Sequence, residues 1–133
     1  MAHRNCEKNG VDVCLRQKDV LTASPEGVLY DVIVSNPPYI AESEKNGMEA
    51  NVLDWEPSVA LFVDDSDPLL FYRKIAELAF LILDSQGALY FEINRAYGME
   101  IVSMLEALGY TQVELRKDGW GNDRMVKAVK AKI

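Results

Sequence analysis

The chain has 133 residues, 49% of them hydrophobic and 26% charged, with a net charge of −7. That length allows one domain with a modest core, and no apolar run approaches the length of a bilayer span. No apolar signal region opens the N-terminus (Met1-Ala2-His3-Arg4), so a cytoplasmic location without membrane contact is the expectation. Cys6 and Cys14 lack metal-type spacing and read as reduced thiols. His3, the only histidine, reads as an exposed helix residue, and no metal site is expected.

In chain order, residues 2–9 read as the end of a helix closed by Asn9-Gly10, with glycine suited to the left-handed position past the last turn. Val11, Val13 and Leu15 alternate along a predicted strand over 11–18, ended by Asp19. Ser24-Pro25-Glu26-Gly27 is a turn. The β-branched run from Tyr30 to Ser35 predicts a strand buried on both faces. Residues 36–66 form a long connection with little period, the kind that in a compact domain serves a function. It is acidic: over 42–67 eight carboxylates oppose Lys45 alone, a local net charge of −7 that equals the whole chain's. Such a loop repels a phosphate backbone and disfavours nucleic acid as a partner.

Asp67 is the expected cap of a helix that Pro68 opens, with Leu69, Leu70, Tyr72, Ile75, Ala76, Ala79, Phe80 and Leu83 as its apolar stripe and Ser85-Gln86-Gly87 as its stop. Ala88 to Ile93 is a strand, and Tyr97 to Leu108 an amphipathic helix ended by Gly109. Thr111–Lys117 and Arg124–Val129 read as an antiparallel pair. Strands alternating with helices predict an α/β sheet covered by helices, in which chemistry sits at the carboxyl ends of strands. Asp19, Asn36 and Asn94 all fall at such ends. Glu92 is left open between a buried acid near the site and an acid facing water. Phe71, Tyr72, Tyr90 and Phe91 are read as core, Trp120 as a surface contact, and Arg116, Lys117 and Arg124 as a solvated face.

The segment with the most chemistry is Asn36-Pro37-Pro38-Tyr39 at the end of the Tyr30–Ser35 run. An amide nitrogen is a poor nucleophile because its lone pair is delocalised into the carbonyl. Two acceptors that take both its N–H protons hold it and favour the positive charge it gains on alkylation. Asn36 offers a side-chain oxygen, and Pro37 a backbone carbonyl stiffened by two adjacent prolines. Tyr39 offers an aromatic face for a flat group. By themselves these residues support a planar amide or amine nitrogen as the target.

Asn36-Pro37-Pro38-Tyr39 resembles motif IV of the S-adenosylmethionine-dependent methyltransferases that act on planar NH2 groups. Together with Glu56-Pro57-Ser58-Val59-Ala60-Leu61, Asp67-Pro68-Leu69-Leu70-Phe71-Tyr72-Arg73, Leu89-Tyr90-Phe91-Glu92-Ile93 and Asp123-Arg124, it resembles the release-factor glutamine N5-methyltransferases, nearly from Met1 to Val129. The resemblance covers the C-terminal part of their catalytic domain. It implies an incomplete Rossmann-like, class I methyltransferase sheet lacking its first two strands, with a C-terminal antiparallel pair, and residues 1–133 as a partial domain without the glycine-rich donor motif or the N-terminal helical domain. It implies catalysis by Asn36 and Pro37, substrate binding by Asn36, Pro37, Pro38 and Tyr39, and contact of Asp19, Val20 and Asn36 with S-adenosylmethionine. The implied partner is a peptide chain release factor, methylated on a glutamine side-chain nitrogen. Two alternatives stand beside this: a nucleic-acid base N-methyltransferase (adenine-N6 or guanine-N2), and an inactive truncated chain. The missing strands lead to the expectation that the isolated chain binds the donor poorly. They also imply that the chain self-associates through exposed sheet edges or carries residues 1–28 away from their family position.

Overall fold

The computed structural model describes residues 2–25, 27–37, 40–41, 62–63 and 67–131. The order is α1 (Ala2–Lys8), β1 (Tyr30–Ser35), β2 (Ile40–Ala41), β3 (Phe62–Val63), α2 (Leu70–Ile82), β4 (Leu83–Glu92), a 3₁₀ turn (Arg95–Tyr97), α3 (Gly98–Ala107), β5 (Tyr110–Lys117) and β6 (Asp123–Lys130). Four strands form one sheet in the order β1-β4-β6-β5, and β2 and β3 pair separately. β1 runs parallel to β4, and β6 antiparallel to both β4 and β5.

One face of the sheet makes the core. Leu89, Phe91 and Ile93 of the β4 run and Val126 and Ala128 of β6 are buried at period two. They meet Tyr72, Ala76 and Ala79 of α2 and Ile101 and Leu105 of α3, spaced so that each set lies on one helical face. The two buried tyrosines satisfy their hydroxyls within this core. The Tyr72 hydroxyl accepts from the Asn94 N–H (3.0 Å), and the Tyr110 hydroxyl donates to the Ala76 carbonyl (2.7 Å). Burial pushes the Tyr110 phenol well above the ordinary tyrosine range. Tyr72 and Phe91 pack edge to face at 5.2 Å, as do Phe80 and Tyr110.

The opposite face lies open. Register places Val34, Tyr90 and Lys127 side by side, with Glu92 opposite Met125 one rung on. Val34 is 75% exposed and Tyr90 38%. The expectation that the Tyr30–Ser35 strand is buried on both faces is therefore corrected. β1 is an edge strand with one bare face, because burial comes from neighbouring elements, which a strand's own composition does not specify. Tyr90 is likewise not core, whereas Tyr72 and Phe91 are.

Residues 11–18 hold no strand, against the alternation of Val11, Val13 and Leu15; these side chains are exposed. A lone extended run has no ladder to satisfy its backbone groups, and the described residues of 9–25 and 27–29 join no sheet. The closure of α1 is as read: Gly10 has φ +65°, and the Val11 N–H reaches the Cys6 carbonyl (3.0 Å). His3 is exposed on α1, and Cys6 and Cys14 are free thiols.

The second helix starts later than its sequence signals. Its N-cap is Leu69, without a side-chain cap. Asp67 does not cap it; its carboxylate pairs with Arg73, and Pro68 lies in the turn before the first helical residue. The stop at Ser85-Gln86-Gly87 is also displaced, since the chain passes from Ile82 directly into β4. Gln86 there takes φ +70° and the β1–β4 register shifts between Tyr30 and Val32. Gly87 is required at this irregularity: a Cβ on it would stand 2.8 Å from the Asp84 carbonyl and 3.1 Å from that of Tyr30. The terminal hairpin matches its predicted strands to within a residue at each end. In the long connection, the described part holds the two-residue parallel pair of β2 and β3.

Candidate active site

β1 and β4 are parallel, so their carboxyl ends open onto the same rim of the sheet. Asn36 is the first residue past β1 and is exposed, while Pro37 after it is buried. In front of Asn36 lies a cavity of about 550 Å³, walled by Val32, Val34 and Ser35 of β1, Tyr90, Phe91 and Glu92 of β4, and Arg124 and Met125 of β6. Its walls are largely apolar, with Ser35, Asn36, Glu92 and Arg124 among the polar residues that line it. That balance suits a flat, weakly polar group gripped at one end. Pro38 and Tyr39, the other half of the proline-rich segment, lie outside the described residues.

β6 contributes more than its sequence suggests. Arg124 is not simply solvated: its Nε and Nη2 approach Asp118 Oδ2 at 3.4 and 3.3 Å, and it lines the cavity. The Asp118 carboxyl is held below the ordinary carboxylate range, first by the Asn122 N–H and then by the Trp120 N–H and Arg124. Tyr90 and Met125 form apolar wall. The only signal for Arg124 in the sequence was its place in the family-like Asp123-Arg124 pair. Glu92 is half-buried at the cavity, between the two readings open for it.

Asn94, the other strand-end polar residue, has a structural task. It is 7% exposed, and its Oδ1 accepts the Ala96 N–H (2.9 Å), capping the 3₁₀ turn that leads into α3.

Asp19 and Val20 are not brought to this cavity. Asp19 is exposed, with Oδ1 accepting the Leu21 N–H (2.9 Å) and its carbonyl accepting the Thr22 N–H (3.1 Å). Val20 lines a different, smaller hollow with Lys74, Glu77 and Leu78. The S-adenosylmethionine implied by resemblance would need Asp19, Val20 and Asn36 around one ligand. The described residues do not form such a cradle, so they do not fit the donor. Calorimetric titration of the 133-residue chain with S-adenosylmethionine is expected to show no binding tighter than millimolar; a micromolar dissociation constant would mean that 19–20 and 36 come together in solution. Among the described residues no cluster of His, Cys, Asp or Glu could hold a metal ion, and no helix is long and apolar enough to cross a membrane.

No protein-family profile matches the chain. Among solved structures, a methyltransferase from Pyrococcus furiosus superimposes with a TM-score of 0.63 at 24% identity, over 98% of this chain and 56% of that one, which shows the fold. The sheet is thus a partial α/β domain of the Rossmann-like class I methyltransferase kind. Among curated relatives, the release factor glutamine methyltransferase of Bacteroides thetaiotaomicron is 52% identical over 129 residues, 96% of this chain and 46% of that protein. The protein of the same name from Flavobacterium psychrophilum is 48% identical over 126 residues, 95% of this chain and 44% of its own length. The chain therefore spans less than half the length of these relatives. At this identity across almost all of its length, the chain belongs to the release factor glutamine methyltransferase family and corresponds to the C-terminal part of its catalytic domain.

Proposed function

We propose that this chain carries the amide-holding part of an S-adenosylmethionine-dependent methyltransferase that acts on the side-chain nitrogen of a glutamine in a peptide chain release factor. The observation that carries the reading is the placing of Asn36: past the carboxyl end of β1, exposed, and at the margin of a largely apolar cavity. There its side-chain oxygen accepts one N–H of the substrate amide. By its place in the segment the Pro37 backbone carbonyl is the second acceptor, its direction limited by the fixed φ of the prolines. With both hydrogens engaged, the nitrogen lone pair is aimed out of the amide plane, and the two oxygens stabilise the positive charge that grows on nitrogen as it is alkylated. No strong base is needed, because an N-alkylated, protonated amide gives its proton readily to water. Tyr39, next in the segment, is the aromatic surface that the sequence offers for the flat amide.

A protein substrate suits the charge better than a nucleic acid does. The acidic stretch 42–67 follows directly on Asn36-Pro37-Pro38-Tyr39, and anionic side chains beside a site repel phosphates. The test joins this chain to the part of its Bacteroides relative that it does not span and offers release factor, tRNA and DNA in parallel with a labelled methyl donor. Label is expected on the release factor, at one glutamine by peptide mapping. Label on nucleic acid alone would replace the reading with a base N-methyltransferase.

A further inference from the structure

The β5–β6 hairpin ends at the same rim as Asn36. β6 is antiparallel to β4, with Met125 opposite Glu92 and the Ile93 N–H donating to the Arg124 carbonyl (2.9 Å). The turn 118–122 therefore projects from the end of the sheet where β1 and β4 finish. At its tip stands Trp120, 90% exposed.

A single exposed apolar side chain is ordinary on a protein surface, but this one is mounted on a stiff base. Asp118 Oδ1 accepts both the Trp120 N–H (2.8 Å) and the Asn122 N–H (3.1 Å). The Asp118 N–H donates to the Asn122 carbonyl (2.8 Å), and the Gly121 N–H to that of Asp118 (3.2 Å). Gly121 takes φ +81°, which glycine adopts without strain. Arg124 grips the other Asp118 oxygen from the cavity wall, so the turn is tied to the site itself. A second exposed apolar side chain, Met99, stands in the first turn of α3 at the same rim, beside Gly98, where an added Cβ would lie 2.8 Å from Asp123 Oδ2.

From these observations we infer that Trp120 is a docking anchor for the protein substrate beside the amide clamp. The inference rests on the release-factor reading above. A side-chain amide is the same in every glutamine, so choosing one requires contacts outside the clamp. A tryptophan on a preorganised turn supplies large contact area for little ordering entropy, which is why such residues dominate interface energetics. The partner surface is an apolar pocket on a folded protein. A base-stacking platform would set the indole among unpaired cations, whereas here Arg116 pairs with Glu114, Lys117 with Asp123 and Arg124 with Asp118, and Arg95 bonds the Asn122 side chain.

The test titrates purified release factor, and separately tRNA, into the 133-residue chain, its Trp120→Ala and Trp120→Tyr variants, and Asn36→Ala. Trp120→Ala is expected to weaken release-factor binding at least about tenfold, the range of an interface anchor, with Trp120→Tyr between it and the parent. Thermal midpoints should be unchanged, because the Trp120 side chain is almost fully exposed. Equal affinity of the parent and Trp120→Ala overturns the anchor and leaves the role of Asn36 standing. No binding of release factor by the parent chain also overturns it. Trp120-dependent binding of tRNA in place of release factor overturns both the anchor and the release-factor reading.

Discussion

Replacing Asn36 with alanine lowers methyl transfer to release factor by about 100-fold or more, when this chain is joined to the part of its relative that it does not span. The magnitude is that of removing one preorganised partner from a charge-developing transition state, about 10²–10³ in rate. The change removes an acceptor whose use is greatest when the substrate nitrogen becomes positive, so the loss falls on the rate constant more than on release-factor binding. Asn36 is exposed past the end of β1, and the truncation leaves no buried cavity, so the unfolding midpoint should hold. Asn36→Asp is the informative companion. It keeps an oxygen in the same place and adds negative charge facing a nitrogen that turns positive, so it should retain more activity than alanine. Transfer by Asn36→Ala within threefold of the parent would remove this residue from the chemistry and with it the clamp. Wild-type transfer confined to tRNA or DNA would leave the clamp intact and change its substrate.

The elements whose evidence is local were legible before any coordinates. The terminal hairpin shows in its period-two runs on either side of Asp118-Gly119-Trp120-Gly121, and α2 in the spacing of Tyr72, Ala76 and Ala79. Asn36 could be placed at a strand end because Asn-Pro-Pro cannot continue a ladder. What stayed hidden depends on neighbours. The valines of β1 and those at 11 and 13 look alike in sequence, yet the first group pairs with β4 and the second joins no strand among the described residues. Tyr90 and Phe91 are adjacent aromatics in one strand, and composition cannot say which of them faces the helices. Arg124 reads as a surface cation until register carries it to the cavity and Asp118 turns it inward. The two misplaced boundaries of α2 have local causes: Asp67 and Gly87 are good start and stop signals, but the Asp67 carboxylate is taken up by Arg73, and Gly87 sits within β4, where an added Cβ would stand 3.1 Å from the Tyr30 carbonyl.

Which face of β4 is the core is itself a prediction with a large effect. Phe91→Ala is expected to cost about 3–5 kcal/mol, the range for deleting a buried aromatic, out of a total stability of about 5–15 kcal/mol. Phe91 is 2% exposed in a central strand, between Ser35 of β1 and Val126 of β6, and its ring meets Tyr72 edge to face. Losing it frees Tyr72, whose hydroxyl holds the Asn94 N–H at the start of the turn into α3. The void thus opens beneath the site as well as within the core. With a urea slope of about 1–3 kcal/mol per molar, the midpoint should fall by more than about 1 M, or the variant should fail to fold. Tyr90→Ala, one residue away on the open face, is the control and should cost less than about 1 kcal/mol, as a half-exposed side chain does. If the two substitutions cost the same, the face that carries Val34 and Tyr90 is covered in solution, and the cavity before Asn36 is narrower than its walls imply. If only Phe91→Ala is costly, that face is bare in the free chain and the cavity stays open to the solvent from which a substrate amide must arrive.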